Sequence, residues 1–352
     1  MEIQLMRLVL PFTLLFIVGF CFGCGGSSKG GNAADGAISF ELTSATNEDF
    51  ESTFAEARSL GLKFASLSVP WDEIERTPGV FTSGVLGDAN AFYQLKGIPV
   101  LLTIPTIDTN ALRLPADLQG EQFSSPNVKA RFAALLRFVL NELRDTTLVG
   151  ISIGNEVDGL LGYDPNKWAE YLDFFESGLG VIHAQRKGTP VGAVLGFRGF
   201  LSSRAAPLIA ASDVALVTYY PLNDDFSVRP VTDVSGDFES MVSAAQGKSL
   251  IVAECGYPSA SENGSSEAQQ RDFFTEMLRV WDLYKSEIPY LLIFSLTDYP
   301  STFVAELGQY YRLQDGGFLA YLGSLGLRRA DGSAKASFEV LRMYSASHSS
   351  GN

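Results

Sequence analysis

The chain has 352 residues, of which 46% are hydrophobic and 19% charged, with a formal net charge of -14. That length suits one large α/β barrel or two ordinary domains, and the composition is that of a globular protein and not of a disordered one. The acidic balance argues against a nucleic-acid partner, because phosphate backbones are bound through clustered Lys and Arg.

The chain opens on what reads as targeting sequence. Leu8 to Phe22 is almost wholly apolar, preceded by Arg7 and followed by Gly23-Cys24. At about fifteen residues this run is shorter than the ~20 that span a bilayer, and it fits a secretory h-region. Glu2 is unusual in a basic leader, and initiation at Met6 would remove it. Gly23-Cys24 resembles a bacterial lipoprotein lipobox, although Cys21 and Phe22 stand where an aliphatic and a small residue are usual. That resemblance implies a signal peptide over residues 1–23, lipidation of Cys24, and an extracytoplasmic protein whose membrane contact is its lipid anchor, with plain secretion as the alternative. Residues 24–36, rich in Gly and Ser, read as a flexible tether. With Cys24 acylated, Cys255 has no partner for an internal disulfide.

From Ala37 the pattern repeats as a short apolar strand, a polar mouth, a helix and a turn. Strands are expected at Ile38 to Leu42, Lys63 to Val69, Pro99 to Ile104, Leu148 to Ile153, Pro190 to Leu195, Val214 to Thr218, Leu250 to Ala253 and Tyr290 to Ser295. Helices are expected between them, among them Asn47 to Leu60, Pro126 to Leu143, Asn166 to Gln185 and Glu267 to Tyr284, with Ala334 to Tyr344 closing. Eight such alternations predict an α/β protein folded as a single (β/α)8 TIM barrel over residues 37–345, with a disordered tail over 346–352. A doubly wound sheet usually carries a glycine-rich loop after its first strand, and SFELTSAT has none.

Two stretches carry the chemistry. ISIGNE ends a buried strand on Asn155-Glu156, and LIVAEC ends another on Glu254. In a barrel the carboxyl ends of strands four and seven face each other across the mouth, and two carboxyls so placed can work on a glycosidic bond. Chance alone yields isolated Asn-Glu pairs, so the weight rests on the strand before Glu156 and on its counterpart Glu254. The bland alternatives are a loop carboxylate that caps a helix and a turn asparagine.

ISIGNEVDGLLG, VTYYPL and IVAECGYPS resemble clan A of the glycoside hydrolases, retaining (β/α)8 enzymes, and the resemblance spans almost all of the mature domain. It implies that Glu156 is the general acid/base and Glu254 the nucleophile. It further implies that Asn155 binds the sugar 2-hydroxyl and that Tyr220, or its neighbour Tyr219, holds Glu254 ionised. PWDEIERTPGVF is similar to the clan's loop after strand two, with Trp71 as a sugar-stacking platform, and Phe294 and Asp298 end strand eight as subsite residues. Asp158, Arg198 and Tyr257 sit at strand ends and are further lining candidates; Cys255 reads as packing and His183 as helix surface. GNE, YYP and AECGYP are similar in part to endo-β-1,4-galactanases, but strand three lacks the histidine of that family, and Phe294 stands where the clan usually has Trp.

The resulting expectation is a monomeric retaining glycosidase for a neutral β-linked poly- or oligosaccharide, with no metal and no other cofactor. Two alternatives share the barrel. One is a non-catalytic carbohydrate-binding surface lipoprotein, suggested by Phe294 and the missing histidine. The other is a transglycosidase remodelling an envelope glucan with the same two glutamates.

Overall fold

The strands form because short β-branched and apolar runs are buried on both faces, and each is cut off by polar or glycine residues at its carboxyl end. In the computed structural model, which describes residues 36–349, the strands are β1 (Ala37–Phe40), β2 (Ala65–Ser68), β3 (Val100–Asp108) and β4 (Leu148–Asn155). The ring continues with β5, split into Val191–Gly192 and Val194–Gly196, then β6 (Ala215–Tyr219), β7 (Leu250–Cys255) and β8 (Tyr290–Ile293). All neighbouring pairs are parallel, from Ala65 opposite Val100 round to Ala37 opposite Tyr290. The ring closes between β1 and β2 through Lys63 N–H to Ile38 O at 2.9 Å and Ser39 Oγ to Phe64 O at 2.6 Å. At the break in β5 the Val194 N–H turns from the ladder to Ser152 Oγ at 2.9 Å, so the seam stays hydrogen-bonded.

The helices that pack outside are α1 (Phe50–Ser59), α2 (Leu86–Lys96), α3 (Pro126–Glu142), α4 (Pro165–Gln185), α5 (Ala206–Ala211), α6 (Val234–Ala244), α7 (Glu267–Leu283) and α8 (Ala336–Ser349). Their starts follow from local chemistry: Ser125 and Asp164 cap α3 and α4 ahead of a proline, and Ser266 caps α7 through Gln269 N–H. Helix α7 buries Phe273, Phe274, Met277 and Trp281 against the barrel. A separate cluster of Phe64, Leu101, Val194, Leu216, Ile251 and Leu292, drawn from around the ring, fills the interior. Each such side chain contributes roughly 1.5–3 kcal/mol by burial.

The (β/α)8 single-domain architecture is thus the one expected. Strand ends shift by a residue or two from the sequence reading, and three larger differences stand out. Strand β3 runs on through Pro105 to Asp108, because Ile107 and Asp108 pair antiparallel with Leu112 and Ala111 and Asp108 also pairs with Asn155 of β4. Helix α8 continues past residue 345 to Ser349, into the stretch read as a disordered tail. Residues 301–323, left unassigned in the sequence, form two further helices, Ser301–Tyr310 and Gly316–Gly323, between β8 and α8. The leader, Cys24 and the tether up to residue 35 lie outside the described residues. Among the described residues no helix is long and apolar enough to cross a membrane.

Candidate active site

Irregularities at the strand ends decide which side chains reach the barrel mouth. Strand side chains alternate between faces, so in β6 the pair Thr218 and Tyr220 points one way and Tyr219 the other. The register of β7 on β6 slips between Val217 opposite Val252 and Thr218 opposite Glu254, a bulge at Ala253. The extra residue lets Ala253 and Glu254 both line the cavity, where strict alternation would show only one. A second slip, between Ile104 opposite Ile153 and Asp108 opposite Asn155, sets Asp108 beside Asn155. At the end of β4, Gly154 adopts φ +88°, where any Cβ would collide with the Tyr171 hydroxyl. Glu156 itself takes φ +43°, a left-handed conformation costing a non-glycine residue about 1–3 kcal/mol. Strain of this kind is held in place by the surrounding structure, here by the two hydroxyls on the carboxylate.

Glu156 accepts hydrogen bonds from Thr109 Oγ1 at 2.8 Å and from Thr218 Oγ1 at 2.5 Å. Glu254 accepts one from the Tyr220 hydroxyl at 2.6 Å. Asn155 Nδ2 donates to Asp108 Oδ1 at 3.1 Å, and Tyr310 donates to Asp108 Oδ2 at 2.7 Å. The Arg113 guanidinium donates in turn to Tyr310 Oη at 2.9 Å and pairs with Asp72 and Glu73. Asn155 is therefore oriented by a chain of partners reaching back to the loop after β2.

Burial pushes the Glu254 carboxyl well above the ordinary carboxylate range, and the charge of Glu156 pushes it further, while the Tyr220 hydroxyl opposes both. Burial also raises Glu156, against the two threonine hydroxyls. The two carboxyls repel, so the pair favours holding one proton between them and titrates as a unit. Asp158 is pushed up to about 7, first by burial and then by Glu156, against the Gly196 N–H that it accepts.

Two cavities meet at this pair. One, of about 220 Å³, is lined by Glu254, Asn155, Phe294, Asp108 and Glu41. The other, of about 370 Å³ and more open, is lined by Glu156, Thr109, Thr218, Tyr220, Asp158 and Arg198. The structure thus brings Glu156, Glu254, Asn155, Tyr220 and Phe294 to one mouth.

It also brings the lining candidates Asp158 and Arg198 to the open cavity, but not Tyr219, Trp71, Asp298 or Tyr257. Tyr219 is fully buried, its hydroxyl on Asp237 at 2.9 Å, because it falls on the outer face of β6. Trp71 is likewise fully buried against Phe132 and donates its indole N–H to Glu75 at 2.7 Å, so it packs beneath the second loop and offers no stacking platform. Trp71→Phe is expected to lower stability by about 1–3 kcal/mol through the lost hydrogen bond to a charged group, with KM for any sugar unchanged; chemical denaturation and kinetics check the two together. Asp298 is turned to Lys335 at 2.7 Å and to Gly326 N–H, bracing the chain after β8 and lining neither cavity. Tyr257 is buried and stacks on Phe273. Cys255 is buried, which pushes its thiol up, and His183 pairs with Asp213 on the surface. No group of three or more His, Cys, Asp or Glu is arranged to hold a metal among the described residues.

Glu41, Asp108, Thr109, Thr218 and Tyr310 were not singled out in the sequence. Glu41 had a signal: it is an acid at the carboxyl end of the apolar run ISFEL, and barrel sites are built at the carboxyl ends of strands.

A closed (β/α)8 barrel with two glutamates at the ends of β4 and β7 has the architecture of the clan A glycoside hydrolases that the sequence resembles. No family model matches the chain, and no curated protein matches it. Among solved structures it is similar to a GH5_18 protein of Bifidobacterium longum subsp. longum in complex with Manβ1-4GlcNAc, at 14% identity and TM-score 0.69, covering 90% of this chain and 79% of that one. It is similar to the exo-β-1,4-mannosidase Op5Man5 of an Opitutaceae bacterium, at 19% identity and TM-score 0.66, covering 90% of this chain and 59% of that one. A family 39 glycoside hydrolase of Bacteroides cellulosilyticus gives 13% identity and TM-score 0.61, with 89% and 64% covered. These neighbours belong to two clan A families with (β/α)8 barrels, and identities this low carry the fold alone. The partial galactanase resemblance gains no support from them.

Proposed function

We propose that the protein is a retaining glycoside hydrolase acting on a β-linked neutral saccharide, with Glu156 as acid/base and Glu254 as nucleophile. The observation that supports this most is the pairing at the mouth: Glu254 receives the Tyr220 hydroxyl at 2.6 Å, and Glu156 is held by the Thr109 and Thr218 hydroxyls at 2.8 and 2.5 Å. In this reading the Glu156 carboxyl protonates the leaving oxygen as a Glu254 oxygen attacks the anomeric carbon. The same Glu156, now a carboxylate, takes a proton from water, which attacks the glycosyl-enzyme and frees Glu254. Asn155, fixed by Asp108, has an amide placed for a sugar hydroxyl beside the nucleophile.

The neighbours bound to Manβ1-4GlcNAc or named as a β-mannosidase make β-mannosides the first substrates to try. The test is a panel of aryl β-mannosides, glucosides, galactosides and xylosides, followed by proton NMR of the product anomer. A β product formed first is expected; an α product formed first would replace the double displacement by inversion.

Tyr220→Phe is expected to lower kcat about 10-fold or more. It removes the hydroxyl that favours the Glu254 carboxylate, so the acidic limb of the pH–rate profile moves to higher pH. An unmoved limb would remove Tyr220 from this role.

A further inference from the structure

The two cavities differ in form, and the difference divides the site. The smaller one sinks into the barrel onto an apolar floor that includes Leu101, Val194 and Leu292. Its roof is the segment after β8. Tyr299 packs edge-on against Phe294, and Tyr311 O accepts Asn110 Nδ2 at 2.8 Å from the loop after β3. Tyr310 is tied to Asp108 at 2.7 Å on that same side. The segment therefore crosses the mouth from β8 to β3 and is hydrogen-bonded at its far side. With this segment above it and the apolar floor below, the cavity of about 220 Å³ is the more enclosed of the two and the harder for a continuing chain to leave. The more open cavity, which holds Glu156, is where a leaving group could extend.

Within the more enclosed cavity one carboxylate, apart from the Asp108 that holds Asn155, has no part in the double displacement. Glu41 stands just past the end of β1, and its Oε2 accepts from Ser66 Oγ at 2.8 Å. No cation is paired with it among the described residues. The guanidinium that lines the cavity, Arg113, is committed to Asp72, Glu73 and Tyr310. Burial raises the Glu41 carboxyl, and its charge is among those that raise Glu254, which sets the two acids near each other. A half-buried carboxyl with one hydroxyl partner keeps acceptor capacity free, and hydroxyl donors from a ligand would use it.

We propose that Glu41 is the specificity-determining residue of this cavity: it accepts hydroxyl hydrogen bonds from the terminal, non-reducing sugar, so that the protein removes single sugars from chain ends. The inference rests on the glycosidase reading and adds to it the residue that holds the sugar and the end that is attacked.

The test compares wild type, Glu41→Gln and Glu41→Ala on the best aryl β-glycoside of the panel and on a reducing-end-labelled β-1,4-mannohexaose or cellohexaose. Loss of hydrogen bonds to a charged group is expected to lower kcat/KM about 10- to 100-fold. The labelled hexamer should shorten by one sugar at a time in the wild type. Thermal unfolding of Glu41→Gln, which keeps the side chain's size, guards against a folding defect. Binding is read separately by calorimetric titration of mannobiose and cellobiose into Glu254→Ala protein with and without Glu41→Ala. Turnover that is abolished by Glu254→Ala, but with first cuts inside the hexamer or kcat/KM unchanged in both Glu41 variants, would overturn this inference and leave the glycosidase reading intact. Binding that depends on Glu41, with no turnover in the wild type, would keep the sugar-holding role and discard hydrolysis. Neither binding nor turnover would overturn both.

Discussion

Glu254→Ala should abolish turnover and at the same time leave the protein at least as stable at neutral pH. As the nucleophile of the proposed double displacement, its removal is expected to cost kcat on the order of 10⁵- to 10⁶-fold. The stability side follows from the environment. Glu254 is half-buried at the cavity wall with Glu156 and Glu41 nearby, and its pKa is raised in the folded protein, first by desolvation and then by the charge of Glu156. A group raised in this way stabilises the fold fully below its unfolded value, and that contribution is lost as pH rises toward the folded value. At neutral pH the wild type therefore carries a penalty that the alanine variant does not, and the two unfolding temperatures should diverge as pH rises from about 4 to 7. The Tyr220 hydroxyl loses its acceptor in the variant, which partly offsets the gain. Calorimetry across that pH range, beside turnover of the best aryl glycoside, measures both. A variant with activity within 100-fold of wild type would remove Glu254 from the reaction. A variant less stable at every pH would mean that the carboxylate serves the fold.

The barrel and the two glutamates were legible because they depend on short-range pattern. Buried strands of alternating apolar residues end abruptly in polar ones, and a barrel gathers those ends whatever lies between. Trp71 and Tyr219 were misplaced for a related reason. An aromatic at a strand end can face the mouth or the helix layer, and strand phase decides it; Tyr219 and Tyr220 differ by one residue and so by one face. The bulge at Ala253 and the two-residue slip before Asp108 depend on how neighbouring strands pair, which no single stretch records. Glu41 was hidden by a strand boundary, since a strand drawn to Leu42 places it inside the sheet, whereas β1 ends at Phe40. The roof's first helix does carry helical spacing in Phe303, Val304, Leu307 and Tyr311, which the sequence reading passed over, but its role as a roof depends on contacts with the distant loop at Asn110.

The second large effect concerns Glu156 and should depend on the leaving group. Its carboxyl lines the open cavity and is held by hydroxyls from two other strands, Thr109 after β3 and Thr218 in β6. In the proposed mechanism a residue in that position meets the bond's departing oxygen and not the sugar ring. Glu156→Ala should cost about 10²- to 10⁴-fold on an oligosaccharide, whose leaving alcohol needs a proton. A dinitrophenyl glycoside needs none, so its first step should proceed and the glycosyl-enzyme should accumulate as a burst. Azide, small enough to enter the space left by the side chain and needing no general base, should then restore turnover and give a β-glycosyl azide. Equal losses on both substrates, with no azide product, would assign Glu156 to binding and not to proton transfer. The basic limb of the wild-type pH–rate profile, which reports the proton on this carboxyl, should vanish in the same variant.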